Sequence, residues 1–150
     1  MKKLLATDGG LDATVLRIVL GGVILPHGLQ KTLGLFGGPG FGASVDMFTQ
    51  DLGLPHGLAV TAIVGETLAA VALVVGLLTR LAALGVLAVM VGAIVLVHAP
   101  HGFFMNWSGQ QQGEGFEYHL LAIGMALALV IRGGGAASLD RSLWRRSTER

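Results

Sequence analysis

The chain has 150 residues, which is enough for one domain. Hydrophobic residues make up 53% of it and charged residues only 13%, whereas soluble domains carry about 25% charged residues. This composition excludes a disordered chain and predicts an integral membrane protein. The net charge of +1 provides no basic field for nucleic acid, and the lack of cysteine excludes disulfides, zinc fingers and cysteine-ligated iron–sulfur clusters.

Four apolar segments predict membrane-spanning helices at about residues 14–36, 57–78, 81–97 and 116–131. Their lengths lie near the roughly 20 residues that cross a bilayer, and they lack the alternation of barrel strands. We therefore predict an all-α, integral membrane four-helix bundle that forms one domain over residues 1–150. Small residues spaced four apart predict where the helices approach closely: Gly65 with Ala69, Ala88 with Gly92, Ala122 with Ala126, and Gly124 with Ala128.

The distribution of lysine and arginine predicts the orientation of this bundle. One side carries the basic residues Lys2, Lys3, Arg80, Arg132, Arg141, Arg145, Arg146 and Arg150. The loops on the other side, at about 37–56 and 98–115, contain neither lysine nor arginine. The positive-inside rule therefore places both termini in the cytoplasm. The tail after residue 133 is predicted to be amphipathic, with Leu139, Leu143 and Trp144 touching lipid or a partner and its arginines facing headgroups.

Ionisable side chains within the spans are the candidate functional residues, because their burial in lipid is costly. Glu66 and His27 each lie about 14 Å below the outer end of their helix, so we predict that they meet and handle protons as catalytic groups. Lys31 lies one turn above His27 on the same helix face. His98, at the end of the third span, and Glu117, Tyr118 and His119, at the start of the fourth, lie on the same outer side. These positions predict a polar pocket in the outer half of the bundle.

A quinone head group needs hydrogen-bond donors at its carbonyls and a proton path, and this pocket offers both. Lys31 and Tyr118 are predicted to orient the head group. Four further residues are predicted as binding contacts: Arg17, His98, Glu117 and His119. No metal site is predicted, since no His-x-x-x-His spacing occurs. A b-type haem between His98 and His119 remains a secondary alternative by depth.

Two non-enzymatic functions also remain open. The chain could be a membrane anchor or assembly subunit that docks a soluble oxidoreductase through its arginine-rich tail. It could also be a small transporter or channel that uses the polar residues as a pathway, which would require a homo-oligomer because the chain has only one four-helix unit.

The order and spacing of several motifs resemble those of the DoxX family of small four-helix bacterial membrane proteins. The motifs are Arg17, His27-Gly28-Leu29-Gln30-Lys31, Gly37-Gly38, Gly65-Glu66, Gly76-Leu77-Leu78-Thr79-Arg80, His98, Gly102-Phe103-Phe104, Glu117-Tyr118 and Ser138-Leu139-Asp140. The resemblance implies a bundle in the bacterial inner membrane that is linked to redox work. Some members of the family are subunits of thiosulfate:quinone oxidoreductase, and others are tied to quinone or catechol stress. The absence of cysteine excludes a persulfide mechanism on this chain.

Overall fold

The computed structural model describes residues 5–7 and 9–148, and the secondary structure in this part of the chain is entirely helical. Between residues 9 and 148, six α-helices follow one another: α1 Leu11–Leu33, α2 Gly40–Asp46, α3 His56–Val75, α4 Thr79–Ala93, α5 Glu117–Arg132 and α6 Leu139–Thr148. A π-helical turn, Ile94–His98, and a 3-10 turn, Ala99–His101, extend α4. Within the described residues, three helices are long and apolar enough to cross a membrane: Leu11–Leu33, His56–Val75 and Thr79–His101.

Two glycines in the left-handed conformation end the first two spans earlier than the sequence predicts. α1 continues through Pro26 but stops at Leu33, because Gly34 has φ 69° and its N–H bonds back to the carbonyl of Leu29. α3 stops at Val75, where Gly76 has φ 70°. A glycine that caps a helix in this conformation avoids the Cβ clash that other residues would meet. The turn between the spans predicted at 57–78 and 81–97 therefore lies at residues 76–78, and Thr79 begins α4.

The loop predicted at about 37–56 contains regular structure. α2 occupies Gly40–Asp46, and the π-helical turn Met47–Asp51 continues it. α2 packs against the preceding long helix α1 and also contacts α3. This segment therefore lies on the ends of α1 and α3 rather than extending away from them.

The long helices pack side by side through small residues. α1 packs against α3 and α5, and α4 packs against α3 and α5. The buried faces are rich in alanine: Ala13, Ala59, Ala69, Ala70, Ala82, Ala83, Ala122 and Ala126 are each at most 8% exposed. Small side chains let helix backbones approach closely in lipid, where packing replaces the hydrophobic driving force.

The glycines at the closest helix contacts differ from those predicted. A Cβ added to Gly21 would lie 2.9 Å from the carbonyl oxygen of Ala70, and one added to Gly28 would lie 2.6 Å from Oγ1 of Thr67. Gly65, Gly92 and Gly124 have no such atom within 4 Å. The prediction that these three pack at helix contacts is therefore wrong, although Ala122 and Ala126 are buried as a pair. Spacing alone could not distinguish a contact face from a lipid face.

The outward surface of the long helices is apolar. Leu68, Val95, Leu121 and Ile131 are each more than 60% exposed, whereas Arg17 and Glu66 are at most 3% exposed. This arrangement reverses that of a soluble protein, in which large apolar side chains are the most buried. The protein is a membrane protein, and its exposed apolar faces contact lipid.

Candidate functional site

The structure brings a lysine and a glutamate from neighbouring helices into one ion pair. Nζ of Lys31, in the last turn of α1, donates to both carboxylate oxygens of Glu66, at 2.7 and 2.8 Å. Glu66 lies near the midpoint of α3, about 15 Å from the first residue of that helix. The side chain of Lys31 is 25% exposed and that of Glu66 only 4%. The carboxylate of Glu66 is therefore buried between the helices. The long side chain of Lys31 reaches it from the last turn of α1.

Tyr118 and His119 contribute two buried polar atoms on the neighbouring helix α5. They are the second and third residues of α5, and Tyr118 lies close enough to Glu66 for electrostatic interaction. Oη of Tyr118 and Nδ1 of His119 are buried, and neither has a hydrogen-bond partner in the described part of the chain. Buried polar atoms are normally paired, and an unpaired one costs about 1–3 kcal/mol. These two atoms are therefore suited to bind a polar ligand.

His98 lies next to His119, so the site contains two histidine rings in contact. Its ring centroid lies 4.1 Å from that of His119, and its Nδ1 donates to the carbonyl oxygen of Glu114 at 2.8 Å. Since a carbonyl oxygen only accepts, neutral His98 carries its hydrogen on Nδ1 and has a lone pair on Nε2. His27 also lies within electrostatic range of His119, but its side chain is exposed.

We call Lys31, Glu66, His98, Tyr118 and His119 the polar cluster. Helices α1, α3 and α5 and the π-helical extension of α4 each contribute to it. His27 lies at its edge, and Lys31 rather than His27 contacts Glu66. The predicted contact between Glu66 and His27 is therefore replaced by an ion pair one helical turn away. The long lysine stem makes this possible, because Nζ can lie well below the residue's own Cα.

Glu117 does not join the polar cluster but holds the loop above it. Its Oε1 accepts hydrogen bonds from the backbone N–H of Met105 at 2.9 Å and from Nε1 of Trp107 at 3.2 Å. Phe103 packs edge-on against Phe116, with ring centroids 5.6 Å apart. The aromatic loop between α4 and α5 is thus fixed at the start of α5. Glu117 is therefore a positioning residue for this loop.

Arg17 lies at the opposite end of the molecule, about 21 Å from Lys31 along α1. Its side chain is 1% exposed. It donates to the carbonyl oxygens of Leu73 at 3.0 Å, Val74 at 2.6 Å, Gly134 at 2.8 Å and Ala137. These contacts join the last turn of α3 to the segment after α5, so the guanidinium has a structural role. The structure does not bring Arg17 to the residues with which it was predicted to bind a ligand.

Asp140 is a second structural residue at this end. It is fully buried, and its two carboxylate oxygens accept from the backbone N–H groups of Leu78 at 2.7 Å and Thr79 at 2.8 Å. A carboxylate at the start of a helix satisfies free N–H groups and complements the helix dipole. Asp140 thus caps α4 although it belongs to α6. The sequence contained no signal for this contact, because the residues are about 60 positions apart.

The other described arginines also lie at the Arg17 end. Arg80 donates to the carbonyl oxygens of Ala6 and Val130, and Arg132 forms an exposed ion pair with Asp12 at 2.9 Å. Lys2, Lys3 and Arg150, which contributed to the predicted orientation, lie outside the described residues. The distribution of arginines in the described residues therefore agrees with a positively charged end opposite the polar cluster.

Two cavities occur at the Arg17 end. One of about 440 Å³ is lined by Ala136, Ala137, Ser138, Arg141, Ser142, Arg145 and Arg146. The other, of about 230 Å³, is lined by Ala6, Thr7, Arg80, Ile131, Arg132 and Trp144. Neither of these two cavities includes a member of the polar cluster. Among the described residues, no three or more His, Cys, Asp or Glu side chains are grouped to hold a metal ion.

A comparison with protein families matches the chain to the DoxX family model over residues 13–99, which is more than half of the chain. The match includes Arg17, His27, Lys31, Glu66 and His98 and ends before α5. No curated protein and no solved structure matches the chain.

Proposed function

The chain belongs to the DoxX family, and from this premise we propose that it is a quinone-linked membrane oxidoreductase or a subunit of one. The observation that carries the proposal is the pair of unpartnered buried atoms, Oη of Tyr118 and Nδ1 of His119, together with the electrostatic interaction that links Tyr118 to Glu66 of the Lys31–Glu66 ion pair. A membrane quinone is apolar except for its two carbonyl oxygens, so it would reach such a cluster from the lipid. Its carbonyl oxygens would accept the hydrogen bonds that these atoms lack.

The residues of the polar cluster divide into binding and proton-handling groups. Reduction of a quinone consumes two electrons and two protons, and the electrons would come from a soluble oxidoreductase partner. The O–H of Tyr118 would donate to one carbonyl of the head group. The imidazole of His119 can donate from a protonated nitrogen or accept from a quinol hydroxyl, so it suits both redox states. Glu66 would exchange protons, with Lys31 as the neighbouring charge that relays them towards the helix end and with His27 nearby at the surface.

We further propose that α1, α3, α4 and α5 form a transmembrane four-helix bundle in the bacterial inner membrane. Both termini would be cytoplasmic. α5 has 16 residues, about 24 Å, and would cross the membrane with Glu117 and Arg132 at the two interfaces. The described basic residues at the Arg17 end support this orientation. Haem is a poorer fit to the cluster than quinone, because His98 and His119 are in ring contact at 4.1 Å and leave no space for a macrocycle between them.

Tyr118→Phe tests the quinone site directly, because it removes only one oxygen atom. Loss of one neutral hydrogen bond should weaken binding of a short-tailed quinone about threefold to tenfold. The same substitution should leave the ligand-free protein equally or more stable, because an unpaired buried hydroxyl is removed. Binding would be measured with purified protein in nanodiscs, with His101→Gln in the outer loop as the matched control. Unchanged quinone affinity in Tyr118→Phe would contradict the proposal.

Glu66→Gln tests the proton-handling step. The amide retains the shape of the carboxylate but does not exchange protons, so quinone-dependent turnover should be lost while quinone binding remains within about tenfold. Turnover equal to that of the wild type would remove Glu66 from the reaction.

A membrane anchor for a soluble oxidoreductase is a second candidate, favoured by the way α6 is held. Arg17 and Asp140 attach the chain around residues 133–140 to the helix ends, and α6 follows with Leu139 and Leu143 more than 40% exposed. Co-purification of a partner that is lost when residues 141–150 are deleted, from a protein that binds no quinone, would favour this function.

A further inference from the structure

The larger cavity at the Arg17 end has the chemistry of a phosphate site. Its volume is about 440 Å³, and three of the seven described residues that line it are arginines: Arg141, Arg145 and Arg146. Ser138 and Ser142 add two hydroxyl groups, and no carboxylate among the described residues lines the cavity. Arginine presents up to five N–H donors in a planar fork that matches phosphate oxygens. The lining is therefore suited to an anion with several acceptor oxygens.

The positions of these residues follow from the geometry of α6. Ser138, Arg141, Ser142 and Arg145 are spaced by three or four residues, so they lie on one face of the helix. Leu139 and Leu143 lie on the other face and are 48% and 42% exposed. α6 is thus amphipathic, with its polar face towards the cavity and an apolar face available to lipid.

Local contacts fix the floor of the cavity before any ligand binds. Oγ of Ser138 accepts from the backbone N–H of Arg141 at 3.2 Å and donates to the carbonyl oxygen of Gly135 at 2.9 Å. The guanidinium of Arg141 donates to the carbonyl oxygen of Ala136 at 3.3 Å. The nearest acidic residue on the same helix, Asp140, is fully buried and directed at the start of α4. Its carboxylate is therefore turned away from the cavity that the arginines line.

We propose that this cavity binds the phosphate group of an anionic ligand, either an anionic phospholipid headgroup or a soluble phosphate. The inference goes beyond the quinone function and rests on it only for placing this end at the cytoplasmic headgroup level. At that level the exposed leucines of α6 would contact acyl chains while the arginines contact phosphate. The site is at the opposite end from the polar cluster, so quinone binding and phosphate binding can fail independently.

The test uses the full chain purified in a neutral detergent and three probes. Dioctanoyl phosphatidylglycerol, dioctanoyl phosphatidylcholine and inorganic phosphate would be titrated, with binding followed by native mass spectrometry. Wild-type protein should bind the anionic lipid at least about tenfold more tightly than the zwitterionic one. Arg145→Gln and Arg146→Gln should each weaken that binding about tenfold, since each removes a charge-assisted hydrogen bond. The matched control is Arg132→Gln, which removes one positive charge at the same end but outside this cavity.

Each outcome decides for or against the proposal. Displacement of the anionic lipid by inorganic phosphate would show that the phosphate group alone suffices and that a soluble phosphate can be the ligand. Lipid binding that inorganic phosphate does not displace, but that the Arg145 and Arg146 variants weaken, would identify the lipid headgroup as the ligand. Equal binding of the two lipids would overturn the proposal without any variant. An equal loss in Arg132→Gln would also overturn it, because general attraction to the basic end would then explain the binding.

Discussion

Replacement of Arg17 tests whether this buried cation is structural, as its contacts indicate. Arg17→Met keeps most of the apolar stem and removes donors from four carbonyl oxygens, those of Leu73, Val74, Gly134 and Ala137. Hydrogen bonds from charged groups contribute about 1.5–3 kcal/mol each, so simple addition gives about 6–12 kcal/mol. Burial of the guanidinium itself costs several kcal/mol, and this cost disappears with the charge. We expect a net loss of about 3–5 kcal/mol, a large fraction of the stability of a small domain.

Arg17→Lys sharpens this expectation. Lysine keeps the charge but presents its donors at a single atom, which cannot reach carbonyls on both α3 and the segment after α5. Its stability should therefore lie within about 1 kcal/mol of that of Arg17→Met. Unfolding would be followed by far-UV circular dichroism during titration of SDS into mixed micelles. Arg132→Gln is the matched control, because its exposed ion pair with Asp12 should contribute only about 0–1 kcal/mol. An Arg17→Met protein as stable as this control would refute the reasoning.

Three further substitutions test contacts that the tertiary structure creates. Asp140→Asn should lower stability by about 1–2 kcal/mol in the same SDS titration, since an amide cannot accept at both oxygens from the start of α4; an unchanged midpoint would remove its capping role. Gly28→Ala should lower the free energy of unfolding by about 1–3 kcal/mol through overpacking. Gly124→Ala, which has open space around it, should leave that free energy unchanged or raise it, and equal effects of the two substitutions would contradict this prediction. Glu117→Ala should release the loop around Trp107, measured as faster proteolysis of that loop with α5 intact, and an unchanged cleavage rate would show that Glu117 does not hold it.

The polar cluster differs from a metal site or a nucleophile site in the chemical groups that it contains. Its groups are donors, acceptors and one carboxylate, held on four helical segments whose other buried residues are mostly apolar. In the proposed function this set would bind and protonate the quinone, and the electrons would come from the soluble partner that is proposed with it.

The sequence by itself determined the class of this protein. Its apolar content and the lengths of its segments predicted membrane helices, and the motifs from Arg17 to His98 indicated the family that the comparison with family models shows. These properties are readable because they depend on composition and on local spacing along one helix. The ends of α1 and α3 were misplaced by about three residues, since apolar residues continue beyond the glycines that stop each helix.

Only the tertiary structure decided which polar residues meet. Depth alone paired Glu66 with His27, but the rotation of α1 against α3 and the reach of the lysine stem place Lys31 on the carboxylate instead. The predicted depth of a residue in the membrane likewise could not show that Arg17 donates to backbone carbonyls of α3 and of the segment after α5. Nor could it show that Asp140 caps α4, which begins some 60 residues earlier. These contacts depend on the relative rotation and ends of separate helices, and hydropathy along a single chain carries no information about either.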